Sequence, residues 1–270
     1  MKSSSQVKNA GIIYEGKSLV DGKPIVVILS GKINRSSNSK TGDMLQTNII
    51  LQDVAPTVAS KIGEDYSVCK SCMHRGFVDL NSKKGTAEER SCYVNLLFLN
   101  TIYRAYKRGK YSYLTEEDLQ IMLFGESLRI GSYGDPGAVP KEVWLDLIEN
   151  YNIKNHTGYS HQILDDNNEI INKNRYLADF CMISCDNLEQ AKIAWSNDLR
   201  TYRTITDLNQ IDWDNEIVCP ESYRKDITCK SCGLCRGSKG SKAKSIAIPI
   251  IERTKKNYLK NINNLASQGV

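Results

Sequence analysis

The chain has 270 residues, of which 40% are hydrophobic and 25% charged, with 36 Lys and Arg against 31 Asp and Glu and a formal net charge of +5. That balance excludes a disordered or low-complexity chain and supplies enough apolar residues for one large core or two small ones. The mild positive charge permits a nucleic-acid partner without requiring one. No run reaches the roughly 18–20 apolar residues of a membrane span. Met1-Lys2-Ser3-Ser4-Ser5-Gln6 lacks an apolar leader core, so a cytoplasmic location is expected. Thiols stay reduced there, and the nine cysteines need a purpose other than disulfides.

In chain order, residues 1–23 read as a polar N-terminal segment ahead of an α/β domain over 24–252. Pro24 to Leu29 is a β-branched run that reads as a buried strand, and Gln46 to Leu51 as a second. Residues 66–92 form an irregular cysteine-bearing insert. Val94 to Arg108 has helical spacing and a basic end, and Thr115 caps a helix through Phe124 with acidic residues in its first turn. Leu128 to Tyr133 is a strand, and Pro140 opens a helix to about Asn150. Strands are then expected at His156–His161, Tyr176–Ser184, Leu199–Ile205, Glu216–Val218 and Ser245–Ile251, with a helix capped by Asn187 running through Trp195. Residues 253–270 read as a Lys-rich terminal helix and tail. Strand–helix–strand spacings near thirty residues predict a mainly parallel sheet.

The strongest chemical signal is Cys219, Cys229, Cys232 and Cys235, a cluster over 219–235. Four thiolates on short loops suit a tetrahedral zinc ion; a 4Fe-4S cluster is the alternative. A second set is Cys69, Cys72 and Cys92 with His74. Three thiolates and an imidazole suit another zinc, or three thiolates a cluster with one open iron. Cys181 reads as a small buried hydrophobe.

In parallel α/β sheets, ligands and catalysis collect at the C-terminal strand ends. That rule selects Asp135 after the strand ending at Tyr133, Asp186 after the strand ending at Ser184, and His161 and Arg203 near two other ends. Two carboxylates across one cleft would serve as nucleophile and general acid/base. Asp135 also suits a turn or helix cap. The segment Thr41-Gly42-Asp43-Met44-Leu45-Gln46-Thr47 offers Asp43 and Gln46 as ligand-binding groups or is a plain turn. Lys107-Arg108-Gly109-Lys110-Tyr111 is a basic-aromatic cluster suited to nucleic acid, or a solvated helix end.

Several segments together resemble a family carried by phages and plasmids: Thr41 to Thr47, Cys92-Tyr93-Val94-Asn95, Tyr103-Arg104-Ala105-Tyr106, Arg129 to Pro136, Thr157 to Gln162, and the closing cysteines. The order Asp135, Asp186, then Cys219 to Cys235 also resembles, more distantly, the tRNA-guanine transglycosylases and the phage enzymes that insert 7-deazaguanines into DNA. Two departures stand against this second likeness. The cysteine spacing is not the C-x-C-x-x-C-plus-His of those enzymes, and their Asp-Ser-Gly-Gly loop is absent. The resemblance implies a short or incomplete TIM-like (β/α) barrel with Cys-rich metal-binding loops, in a phage-encoded case within the host cytoplasm. It implies DNA and a modified purine base as partners. Asp186 would attack C1′ to release guanine, Asp135 would shuttle the proton, and Tyr133 or Tyr159, beside His161, would receive the flipped base. Two other readings stay open: an iron–sulfur enzyme of diverged radical type, and a zinc-stabilised nucleic-acid-binding protein without catalysis.

Overall fold

A computed structural model describes residues 7–36, 38–78, 87–88, 90–165, 167–239 and 242–267. The Ser/Lys tail over 1–6, part of the cysteine-rich insert (79–86) and the last three residues of the C-terminal tail lie outside the described residues.

Three strands open the fold: β1 (Ala10–Lys17), β2 (Pro24–Ser30) and β3 (Leu45–Leu51). β2 lies between the other two, antiparallel to both. Its residues Ile25 to Leu29 are fully buried, which is why the run is apolar without alternation. The N-terminal segment therefore contributes an edge strand to the domain. Ile12 points inward and Lys17 is exposed, and this half-polar pattern made the segment read as an appendage.

A long crossover follows. It comprises α1 (Pro56–Ile62), α2 (Tyr66–Cys69), a two-residue ladder of β4 (Phe77–Val78) with β5 (Ala87–Glu88), α3 (Leu96–Lys107) and α4 (Glu116–Leu123). Asn95 caps α3 by accepting from the Leu97 and Phe98 amides. Thr115 and Asp118 close a capping box on α4, as the acidic first turn predicted.

β6 (Ser127–Tyr133) then pairs parallel to β3. α5 (Lys141–Glu149), β7 (Asn155–Thr157), β8 (Tyr159–Ser160) and β9 (Met182–Cys185) come next. α6 (Leu188–Trp195), β10 (Thr201–Ile205), β11 (Glu216–Val218), α7 (Cys229–Cys232), β12 (Ser245–Pro249) and α8 (Glu252–Ser267) complete the chain. The strand expected over Tyr176–Ser184 is shorter. Asn172–Asp179 winds into 3-10 turns and only Met182–Cys185 is extended. Leu177 and Ala178 are buried either way, and a short apolar run does not distinguish the two conformations.

The strands form two five-stranded sheets, β1-β2-β3-β6-β7 and β11-β12-β10-β9-β8. Apart from the β1–β2 and β2–β3 pairs, which are antiparallel, every neighbouring pair in these two sheets is parallel. One residue, Gly158, separates β7 from β8 and so joins the sheets. Its amide donates to the Cys235 carbonyl at 3.4 Å and its carbonyl accepts from the Met182 amide at 2.9 Å. A Cβ at this joint would stand 2.8 Å from Cys181 Sγ, so only glycine fits without displacement. Among the described residues no pairing joins β1 to β11, and the array stays open rather than closing as a barrel.

Candidate functional site

The C-terminal ends of β6, β8, β9, β10, β11 and β12 surround a cavity of about 250 Å³. Both cysteine sets face it. All eight expected metal ligands (Cys69, Cys72, His74, Cys92, Cys219, Cys229, Cys232 and Cys235) lie on its wall, as does Cys185. Cys181 does not, in keeping with its reading as a core residue.

Local chemistry positions each set. Cys69 ends α2, and the Cys72 amide donates back to the Cys69 carbonyl at 3.3 Å. The turn is held by Asp65, a buried carboxylate gripped by Arg75 Nη2 at 2.6 Å and Nε at 2.9 Å. The Ser91 and Cys92 amides both donate to the His74 carbonyl, which brings Cys92 beside the other two. Cys229 opens α7, capped by Thr228 and Ser231 and ended by Gly233. The loop 38–44 clasps this turn. The Cys229 amide donates to the Lys40 carbonyl, the Lys230 amide to the Thr41 carbonyl, and Lys230 Nζ to Asp43 Oδ1 at 2.7 Å. Gly42 has φ +73°, and a Cβ there would lie 3.2 Å from Thr228 Oγ1, so its turn is shaped by the clasp.

Burial pushes these thiols toward the neutral form. The Cys69 thiol is raised well above its ordinary range, first by desolvation, then by Asp65, Cys72 and Cys92. Burial raises Cys219 to about 11 and Cys235 to about 12, with neighbouring thiols of the same set adding to the effect. Each set is thus close enough in space for its members to influence one another electrostatically. Among the described residues, no three His, Cys, Asp or Glu side chains are drawn into a metal-binding arrangement. The sulfurs share a wall without converging on a point. The chemistry of the donors still suits a soft cation, since closely grouped, half-buried free thiols give up their protons to one.

The two aspartates occupy different situations. Asp135 is buried, and its Oδ1 accepts from the Gly137 amide at 2.8 Å and Ser160 Oγ at 2.7 Å. Its Oδ2 accepts from the His161 amide at 2.7 Å. These bonds bind the β6 turn to the end of β8, a structural task, although desolvation raises the carboxyl above its usual range. Asp186 is off the cavity wall and pairs with His161, Oδ1 to Nε2 at 3.3 Å. His161 is raised well above an ordinary imidazole: Cys72 and Asp186 outweigh the desolvation that opposes the charge. His74 is the reverse, lowered to about 4 by burial and stacked on Tyr258.

Tyr133, Tyr159 and His161 line the cavity, whereas Asp43 and Gln46 do not. Asp43 is engaged by Lys230, and the loop meets the cavity through Asn38, Lys40 and Thr41 instead. Arg203 is withdrawn into a buried pair with Glu216. The basic-aromatic cluster lies at the end of α3, away from the cavity, where Lys107 reaches Asp53 at 3.3 Å. Among the described residues no helix is long and apolar enough to cross a membrane.

No family model, curated protein or solved structure matches this chain. The residues that sequence reasoning passed over are Arg129, Tyr93 and Tyr202, all on the cavity wall. Arg129 carried a signal, being a charge between Leu128 and Ile130 in an apolar strand. Tyr93 and Tyr202 carried none beyond their type.

The clasp loop is anchored at its base by Glu126, which accepts a fork from Arg35 Nη1 and Nη2, both at 2.7 Å, and a bond from Lys32 at 2.8 Å. The Arg35 bonds first, then Lys32, hold the Glu126 carboxyl down at about 2 against desolvation. A depressed folded pKa gives stability that is present above the ordinary value of 4.5 and lost as pH falls toward 2. The Glu126 carboxylate is 16% exposed and its Arg35 partner 33%, so solvent still screens the pair and limits the effect to about 0.2–1 kcal/mol. Glu126→Gln is expected to remove that increment at pH 7 and to flatten the stability curve between pH 5 and 2, measured by urea denaturation.

Proposed function

We propose that this chain is a metal–thiolate enzyme whose substrate sits in the cavity between two cysteine centres. Cys69, Cys72 and Cys92 form one; Cys219, Cys229, Cys232 and Cys235 form the other. The observation that carries the reading is that two cysteine sets, remote in sequence, face one cavity at the C-terminal ends of parallel strands. The open strand array is read as an incomplete (β/α) barrel.

Four thiolates leave an ion no free position, so Cys219, Cys229, Cys232 and Cys235 would hold a structural zinc or a 4Fe-4S cluster. Three thiolates would leave such a group one position free for substrate. When bound, an iron–sulfur cluster or zinc ion at Cys69, Cys72 and Cys92 would supply Lewis-acid or one-electron chemistry. His161 Nε2 faces Asp186 Oδ1 at 3.3 Å and would hold a proton there. Tyr159 and Tyr202, with ring centres 4.3 Å apart, would shield one wall from water. The test is anaerobic purification with iron, sulfide and zinc analysis and an absorbance spectrum. Absorbance near 400 nm assigns iron–sulfur. Seven freely titrating thiols and no bound metal after reconstitution would sink the proposal.

One observation favours a second reading, guanine exchange in DNA. Asp135 and Asp186 both contact His161, the first at its amide and the second at its ring. On this reading Asp186, which lies off the cavity wall behind His161, would have to reach C1′ as the nucleophile, and Asp135, raised by burial, would be the proton donor. Asp186→Asn is expected to abolish any modified nucleoside detected by mass spectrometry of digested DNA. DNA from cells expressing the unaltered protein that contains only ordinary nucleosides would eliminate this reading.

A further inference from the structure

Three arginines are buried among the described residues: Arg129, Arg200 and Arg203. Arg203 faces the Glu216 carboxylate at 2.6 Å. Arg200 donates to the carbonyls of Lys244, Leu234 and Gly237. Among the described residues Arg129 has neither kind of partner. It is 6% exposed, lies on β6 and forms part of the cavity wall. The hydrogen bond its guanidinium makes runs from Nη2 to the Tyr93 hydroxyl, and the ring of Tyr93 lies 5.6 Å from the guanidinium carbon. The groups that act on it electrostatically are Tyr93, Tyr159, Cys229 and Tyr202, none of them a carboxylate.

A permanent charge buried without a carboxylate partner is costly, and an anion that completes it is correspondingly favoured. The guanidinium fork matches a carboxylate or phosphate with two parallel bonds. Around it, the phenols of Tyr93, Tyr159 and Tyr202 offer hydroxyl donors and flat apolar faces, and Ile246 and Ile248 add aliphatic surface. The cavity, at about 250 Å³, falls just under the usual range of small-molecule sites, roughly 300–1,000 Å³. We infer that the cavity binds a small organic anion whose carboxylate or phosphate is held by Arg129. This inference rests on the reading of the cavity as a substrate chamber.

The experiment follows thermal unfolding against inorganic phosphate and, separately, benzoate, at ionic strength matched with chloride, with metal content measured on the same samples. At least one anion is expected to raise the midpoint saturably, because it binds the folded state alone. The two arms separate a phosphate site from a carboxylate site. Arg129→Met is expected to abolish the response, and Arg129→Lys, which loses one arm of the fork, to weaken it about tenfold to hundredfold. Should Arg129→Met fail to fold, the Lys variant reads the same contrast. Metal-loaded protein that responds to neither anion overturns the inference and makes Arg129 the counter-charge of the thiolates. A response to a DNA oligonucleotide alone also overturns it. An Arg129-dependent anion response in metal-free protein keeps the anion site and removes the metal reading instead.

Discussion

Cys229→Ser is expected to lose metal and solubility together, while Cys72→Ser loses metal from the other centre and stays folded. The difference lies in what else holds each segment. The turn at Cys69 and Cys72 is fixed by buried Asp65 and its Arg75 fork, so it keeps its shape without an ion. The stretch from Cys219 to Cys235 has little apolar burial of its own: none of the residues of α7 is buried. Its ties are the backbone bonds to Lys40 and Thr41 and the exposed pair of Lys230 with Asp43. In such a segment ion binding is folding energy, about 10–16 kcal/mol for structural zinc in isolated peptides, and one ligand in four carries a large share of it. Metal analysis and sedimentation of the variants against Cys181→Ala, whose thiol is buried away from the cavity, give the comparison. Equal metal in Cys229→Ser and the unaltered chain would remove Cys229 from the ligand set.

Arg203→Met is expected to destabilise the fold by about 3–5 kcal/mol, a large part of a total near 5–15 kcal/mol. Arg203 on β10 and Glu216 on β11 are both buried, and Nε and Nη2 meet the two carboxylate oxygens at 3.1 and 2.6 Å. The network extends to the Gln210 carbonyl, which accepts from Arg203, and to the Asp212 amide, which donates to Glu216. Removing the guanidinium leaves a buried carboxylate with only that one neutral donor, and this uncompensated charge is what destabilises. The double variant Arg203→Met with Glu216→Leu removes both charges and is expected to recover most of the loss. Urea denaturation of the two singles and the double measures the coupling. A single-variant effect below about 1 kcal/mol would mean that water reaches the site and screens the charge.

Local chemistry made much of the fold legible. The apolar run at Ile25 to Leu29, the capping box at Thr115 and the cap at Asn187 each declare themselves within a few residues. The Asn187 side chain accepts from the Gln190 amide as expected, while Gln190 Oε1 turns to the Asp186 amide instead of completing the box. What was not legible depends on strand adjacency. Spacing within the chain identified two cysteine sets, yet nothing in it says that the ends of β6, β9 and β11 meet around one space. For the same reason Asp43 read as a ligand, when its partner Lys230 lies 187 positions away. Arg129 was visible as an oddity in an apolar strand, but its lack of a carboxylate partner is a property of its neighbours in space.

That clasp between residues 40–43 and 228–230 has a consequence for how the molecule assembles. Contacts so distant along the chain close slowly, because chain entropy must be lost before the contact rewards it. During synthesis the N-terminal sheet emerges with its loop unoccupied, and nearly the whole polypeptide must leave the ribosome before Cys229 and Lys230 can dock there. The four late cysteines, in contrast, lie close together along the chain and can gather an ion before any of this closure occurs. If those cysteines hold an ion, as proposed, its capture can precede and nucleate the final wall of the cavity. On that reading, starvation for metal would leave the chain with its first sheet formed and the cavity still open to water.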